Sequence, residues 1–137
     1  MIRSRFVLGA LASATVALGA CKKDDAKPVT SNDQLLVAHE WRLSETRLNG
    51  QVTGSGATVK DQYDWHFVSG GSYHLTYLAD ASMVQGQWQV SNPNNLHVVD
   101  HKGDAHDYAI QQLDNTTLRL SWEERAGERH EDIYTAK

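Results

Sequence analysis

Tyr63-Asp64-Trp65-His66-Phe67-Val68-Ser69-Gly70-Gly71-Ser72-Tyr73-His74-Leu75-Thr76-Tyr77 is the stretch on which the fold turns. Aromatic and aliphatic residues take every second position on both sides of Ser69-Gly70-Gly71. That is the period of a strand with one buried face. A three-residue turn sets Phe67 against Tyr73, Trp65 against Leu75 and Tyr63 against Tyr77, so turn and pattern specify the same hairpin. The other face carries Asp64, His66 and His74 and reads as solvated.

The same period extends outward. Upstream, Trp41, Leu43, Glu45 and Arg47 alternate with polar neighbours up to Asn49-Gly50, and the glycine- and threonine-rich Gln51 to Thr58 reads as a loop. Downstream, Val84, Gly86, Trp88 and Val90 alternate with Met83, Gln85, Gln87 and Gln89, and Asn92-Pro93-Asn94-Asn95 ends the run. Leu96 and Val98, then Tyr108 and Ile110, then Leu118, Leu120 and Trp122, then Arg129 to Thr135 complete eight strands. Ahead of them, Ser31-Asn32-Asp33 offers N-caps to a short helix bearing Leu35 and Leu36, which suits a plug or lid. Eight short strands with local connections predict an all-β, eight-stranded antiparallel up-and-down barrel with a short N-terminal helix. Closure removes both sheet edges. The strands are short for a bilayer, and Asp64, His66, Gln85, Gln87 and Gln89 on the outer face would be rejected by lipid.

The 137 residues suit one domain, but they are not uniform. Residues 1–20 carry Arg3 and Arg5, then an uncharged run from Phe6 to Ala20, which reads as an export signal. Leu18-Gly19-Ala20-Cys21 resembles the lipobox of bacterial lipoproteins. The resemblance implies cleavage before Cys21, a diacylglyceryl group on its thiol and a further acyl chain on the new amino group, enough for stable anchoring. The alternative is a cleaved secretory signal with a chance cysteine. Residues 21–30, charged and containing Pro28, read as the lipidated cysteine and a flexible tether, leaving 31–137 for the barrel domain. Lys23-Asp24-Asp25 resembles the export tag of surface-exposed lipoproteins in Bacteroidetes, which implies the outer membrane and leaves its face open. Without residues 1–20 the formal charge moves from -4 to -6, against a nucleic-acid partner. One cysteine excludes a disulfide framework and any metal site built from several thiolates.

The order of phrases from Leu36 to Tyr134 resembles the lipocalin-like domains of small bacterial lipoproteins, particularly those of Bacteroidetes. The first-strand Trp is Trp41, although the glycine that often precedes it is absent. Phe67, Gly70-Gly71 and Tyr73 match a Phe-turn-Tyr phrase, and Gly86-Gln87-Trp88 matches a Gly-x-Trp. Leu96-His97-Val98, Tyr108 to Leu113 and Leu118-Arg119-Leu120 follow in the family's order. The resemblance implies a barrel; it implies no shared catalytic residue and no cofactor.

The inward set is Trp41, Leu43, Tyr63, Trp65, Phe67, Tyr73, Leu75, Tyr77, Val84, Trp88, Val98, Tyr108, Ile110, Leu118, Leu120 and Trp122. Its aromatic members, Trp41, Tyr63, Trp65, Phe67, Tyr73, Tyr77, Trp88, Tyr108 and Trp122, are the candidate ligand-binding interior; a filled core is the plainer alternative. Tyr63, Tyr73 and Tyr77 are more polar than a dry core prefers, since buried hydroxyls need partners. Glu45 and Arg47 are in phase with Trp41, unless the strand bulges and places them at the solvated rim. His101, Asp104, His106 and Asp107 form the nearest approach to a metal cluster, though ordinary surface histidines account for them and no metal site is expected. His66 and His74 should face each other outside the barrel. Glu123, Glu124, Glu128, Glu131 and Asp132 read as a solvated acidic hairpin rather than paired catalytic acids. The sequence therefore predicts a lipid-anchored, non-enzymatic outer-membrane barrel that binds a small apolar or amphipathic ligand. A filled accessory barrel acting through an envelope protein is the rival, and an inhibitor or enzyme a more distant one.

Overall fold

The computed structural model describes residues 31–137; the export signal, Cys21 and the tether read from the sequence lie outside the described residues. Helix α1 runs Asn32–Ala38. The Ser31 hydroxyl accepts the Gln34 N–H at 3.4 Å and the Gln34 side chain accepts the Ser31 N–H at 3.1 Å, closing a capping box. Seven residues are too few to hold a helix in water, so packing must fix it. Leu36 is fully buried, and the Trp41 indole N–H donates to the Leu36 carbonyl at 3.0 Å. The helix stops one end of the barrel.

The strands are β1 (Glu40–Leu48), β2 (Gln51–Ser55), β3 (Tyr63–Val68), β4 (Ser72–Tyr77), β5 (Met83–Ser91), β6 (Asn95–Val99), β7 (Ala105–Leu113), β8 (Thr117–Arg125) and β9 (Glu128–Ala136). From β3 to β9 each pairs antiparallel with the next, and β9 returns to β1. Both β2 and β3 lie on the remaining side of β1, with β3 on Glu40 to Arg42 and β2 on Glu45 to Leu48. Nine strands thus fill eight positions of a closed antiparallel barrel. The expected loop from Gln51 to Thr58 is instead β2 followed by one 3-10 turn, Gly56–Thr58. β1 outruns β3, and β2 pairs the edge that would otherwise stay open.

The β3–β4 register pairs Phe67 with Tyr73, Trp65 with Leu75 and Tyr63 with Tyr77, as the sequence specifies. Gly70 and Gly71 take φ of 102° and 98°, which a side chain would resist. The turn is held from the next strand. Trp88 N–H donates to the Gly71 carbonyl at 2.8 Å, and its indole N–H reaches the Val68 and Ser72 carbonyls at 3.1 and 2.8 Å. Two residues earlier, Gly86 lies opposite Tyr73, and a Cβ there would come within 2.5 Å of the phenol ring. The Gly-x-Trp phrase therefore does two jobs: the glycine lets Tyr73 lie across β5, and the tryptophan caps the neighbouring hairpin.

A bulge in β1 between Leu43 and Glu45 resets the phase. Trp41 and Leu43 face inward, whereas Glu45 and Arg47 emerge outside, opposite Ile133 and Glu131, and pair with each other. The Ser44 hydroxyl donates to the Ile133 carbonyl at 2.9 Å and fastens the bulge to β9. The outer wall is polar. Arg42 grips Asp64 with two bonds of 2.8 and 2.9 Å, and Lys137 reaches the same carboxylate at 2.6 Å. Arg42, and then Lys137, hold the Asp64 carboxyl below its ordinary range. His66 and His74 stack outside at 4.7 Å. The acidic last hairpin is not a single solvated face. Glu131 is only 5% exposed, between Arg119 and Arg129 on the outer wall, while Asp132 alternates with it and points inward opposite Leu120.

Replacing Gly86 by alanine should destabilise the protein by about 1–3 kcal/mol, because the methyl group must displace the Tyr73 ring or the Val99 carbonyl. Chemical denaturation checks this; unchanged stability would show that the close approach is not a constraint.

Candidate functional site

The two ends of the barrel differ in chemistry. Under α1, Leu36, Trp41, Phe67, Leu96 and Leu118 are all fully buried, forming a packed apolar stopper. All five tyrosines, Tyr63, Tyr73, Tyr77, Tyr108 and Tyr134, face the interior toward the other end. There the barrel holds a half-open cavity of about 240 Å³. Tyr63, Trp65, Tyr73, Tyr77 and Tyr108 wall it, Leu75, Val84 and Val98 fill the gaps, and Asp100, His101 and His106 stand at its rim. Drug-sized pockets run from about 300 Å³ upward, and a dry cavity of about 150 Å³ accepts benzene, so this space suits one ring-sized group.

The rings form a continuous wall. Tyr63 and Tyr77 are 5.9 Å apart, Trp65 and Tyr108 6.4 Å, and Tyr108 and Trp122 5.3 Å, all edge-on. Trp122 then stacks on His130 at 5.3 Å. Polar groups inside are joined in a chain. Tyr63 and Tyr134 hydroxyls lie 2.8 Å apart, and Tyr134 donates to Asp132 at 3.4 Å. A carboxylate only accepts, so the Tyr63 proton points to Tyr134 and the Tyr134 proton to Asp132. Burial pushes the Tyr63 and Tyr134 hydroxyls well above their ordinary pKa, and Tyr108 up to about 12.

Two carboxylates have opposite fates, Asp100 at the cavity's rim and Asp132 on the inner face of β9. Asp100 receives the His106 ring at 3.1 Å and the N–H groups of Lys102 and Asp104 at 2.9 and 3.0 Å. The His106 bond, then the loop amides, hold its pKa down at about 2. Asp132, half-buried, has one long hydroxyl donor, and burial pushes its pKa up to about 6. The Trp65 indole is also short of a partner: it is 3% exposed, and its N–H finds no acceptor among the described residues. Such a buried donor costs about 1–3 kcal/mol unless water or a ligand oxygen meets it.

Of the residues expected to line the interior, Tyr63, Trp65, Tyr73, Tyr77 and Tyr108 come together around the cavity. Trp122 continues the wall against His130, while Trp41, Phe67 and Trp88 belong to the stopper and the capped hairpin. Sequence reasoning missed Tyr134, Asp132 and His130, although their spacing of two and their pairing with Leu118, Leu120 and Trp122 put them on the inner face. The four residues that came nearest to a metal cluster in the sequence, His101, Asp104, His106 and Asp107, do not converge: His106 turns to Asp100, and His97 takes Asp107 at 2.9 Å. At the β8–β9 tip, donors of Glu124, Glu128 and His130 lie within 4.8 Å of one another. His130 Nε2 is buried and lies 3.3 Å from Glu124 but out of line for a hydrogen bond, and one imidazole beside two glutamates at an exposed strand tip carries no metal assignment.

Two larger hollows, of about 460 and 420 Å³, run outside along the seam of α1. They are open surface clefts in which Val37, Trp88, Val90 and Pro93 lie beside polar side chains such as Asp33, Gln34 and Asn92. The smaller interior cavity is the better site, because its rings surround an occupant instead of flanking it.

Closed topology, terminal helix and a cup lined from several strands define a lipocalin-like barrel. A crystal structure of a lipocalin-like protein from Bacteroides uniformis ATCC 8492 superposes with a TM-score of 0.55 at 16% identity, covering 74% of this chain and 98% of that one. No protein-family model and no curated protein matches the chain. The likeness establishes the fold.

Asp132→Asn should raise stability at pH 7.5. The folded-state pKa, about 6, exceeds the ordinary value of 3.8, so the folded protein binds the proton more tightly. The penalty of the charged form is complete above about pH 6 and disappears as pH falls toward 4. Allowing for partial solvent screening, the variant should gain about 1–2 kcal/mol at pH 7.5 and almost nothing at pH 4 by paired denaturation curves. Equal stability at both pH values would contradict the assignment.

Proposed function

We propose that this chain is a non-enzymatic, lipid-anchored barrel of the outer membrane that binds a small amphipathic molecule in the tyrosine-walled cup. The observation that carries the binding reading is the cavity itself: a ring-sized space walled by aromatics, one of them Trp65, whose buried indole N–H has no acceptor among the described residues. Among the described residues the hydrogen bonds join no serine to a histidine ring, the pairing a nucleophilic hydroxyl would need. The anchoring reading rests on the lipobox resemblance at Leu18 to Cys21. An anchor at Cys21 would enter the domain through Ser31 at the stoppered end.

Two measurements test this. Titration with p-cresol, followed through tryptophan fluorescence, should saturate with the wild type, and Val84→Phe, which fills the cup, should abolish binding while preserving the fold by circular dichroism. Binding unaltered by Val84→Phe would place the ligand elsewhere. Separately, the full-length protein in a Gram-negative host should incorporate labelled palmitate, and Cys21→Ala should lose the label and leave the membrane fraction; persistence of both would overturn the anchor.

A second reading, an accessory lipoprotein working through protein contacts, is favoured by one observation. The exposed large apolar residues Leu48, Val52, Leu78 and Met83 all border the open end. Failure of small ligands to bind, with loss of a specific protein partner on replacing Val52 and Met83 by serine, would select it.

A further inference from the structure

We infer that the cup selects neutral ring compounds carrying a hydrogen-bond acceptor, such as an aryl ketone, over hydrocarbons and carboxylates, with the acceptor oxygen met by the hydroxyls of Tyr73, Tyr77 and Tyr108. This deepens the ligand-binding reading above and depends on it.

The polar groups lining the cavity are incompletely used. Tyr63 and Tyr134 make all the hydrogen bonds of tyrosine hydroxyls among the described residues. Tyr73, Tyr77 and Tyr108 line the cavity, and their hydroxyls have no partner among those residues. Trp65 lines it too, and its buried indole N–H lacks an acceptor. Away from the cavity the chain treats such donors differently. The Trp41 indole donates to the Leu36 carbonyl at 3.0 Å, and the Trp88 indole to the Ser72 carbonyl at 2.8 Å. Buried hydroxyls and indoles ordinarily find partners, so a wall with four unmet donors is short of acceptors.

The hydroxyl ends also converge. Tyr77 and Tyr108 stand on β4 and β7, with β5 and β6 between those strands. Burial raises the pKa of Tyr73, and charge on Asp100 and Tyr77 raises it further. Burial likewise raises Tyr108, to about 12, with Asp132, Tyr73 and Asp100 adding to it. Tyr73 and Tyr108 therefore act on each other across the space between their strands, and both feel the carboxylate at the rim. Gly86 gives Tyr73 its place: the phenol oxygen lies 2.5 Å from where a Cβ would stand on the inner side of β5.

Charge at the cavity narrows the guest. Among the described residues no lysine or arginine lines it. Its one carboxylate, Asp100, is kept ionised by the His106 ring and by the N–H groups of Lys102 and Asp104. An anion would meet that charge with no cation to offset it. A cation would find no carboxylate free of partners in the wall. A hydrocarbon would strip water from the hydroxyls and return nothing. An indole N–H only donates, and a phenol donates better than it accepts because the ring draws on its oxygen lone pairs. A neutral acceptor meets every condition. The space takes one ring with a small substituent, which excludes long chains and folded peptides as full occupants.

The test uses acetophenone, α-methylstyrene and benzoate, which share one shape and differ in carrying a ketone oxygen, a methylene or a carboxylate. Each is titrated at pH 7.5 into the ¹⁵N-labelled protein, with the indole N–H resonances as reporters. Acetophenone should bind at least about tenfold tighter than benzoate, a comparison that needs no variant. Tyr77→Phe and Tyr108→Phe together should lower the ratio of acetophenone to α-methylstyrene affinity by about tenfold or more, through weaker binding of the ketone. The two hydroxyls removed hold no other part of the protein, so a folded variant is expected, and its indole spectrum verifies this. Benzoate binding as tightly as the ketone, or a ratio unchanged by the double substitution, overturns the acceptor inference and leaves the ligand-binding reading intact. Binding of none of the three overturns the ligand-binding reading and the inference with it.

Discussion

Closure of β1 onto β9 is the constraint on which the rest of this structure depends. Until those strands meet, the sheet has two unpaired edges and no enclosed face, and neither the stopper under α1 nor the cup has walls. The closure is not uniform. It runs in one phase from Trp41 to Leu43, shifts at Ser44, and continues in the other phase to Leu48. That single displaced residue keeps Trp41 in the apolar stopper and sends Glu45 and Arg47 into solvent, so the charged half of β1 never loads the interior. Asp132, held across from Thr46 beyond the same bulge, is the carboxylate the interior does receive.

Along its axis the barrel passes from hydrocarbon to phenol to charge. Leucines and Phe67 fill the helix end, the tyrosines and Trp65 occupy the middle, and Asp132, His130, Asp100 and His106 stand toward the opening. The stopper supplies stability through burial, and the open half carries the groups whose hydrogen bonds are incomplete. Tight apolar packing and incomplete hydrogen bonding thus fall at opposite ends of one core, joined by Trp65, which packs against Phe67 at 4.6 Å and lines the cavity.

How much of this could be read in the sequence follows from where period and turn chemistry agree. Residues 63–77 were legible to the individual pair, because an unbroken alternation meets a glycine turn of defined length. The stopper helix was legible from Ser31 and the two leucines, and the closed barrel from the count of strands. β2 was not, since its one buried residue is Gly54 and it exists to cover an edge that only the assembled sheet creates. The inner face of β9 was hidden by residue type: in Glu131-Asp132 both acids look solvated, and only the register tells which is clamped outside and which points in. Of the interior, the wall from β3, β4 and β7 was foreseen; Tyr134, Asp132 and His130 were not, because the phase of β9 is set by its pairing with β1 and β8.

The pairing of one wall position by β2 and β3 in succession has a mechanical consequence. Three residue pairs tie β3 to β1 and four tie β2 to it, with Gly56 to Gln62 looping out between the two segments. The other staves are continuous. A closed cylinder with one divided stave has a natural slit, and local opening there can widen the interior without breaking the β1–β9 seam. Gln62 bridges the slit through its amide to the Leu43 carbonyl at 2.7 Å, acting as a latch beside Tyr63 at the cup's edge. The wall is thus weakest on the flank where the chain itself departs from it.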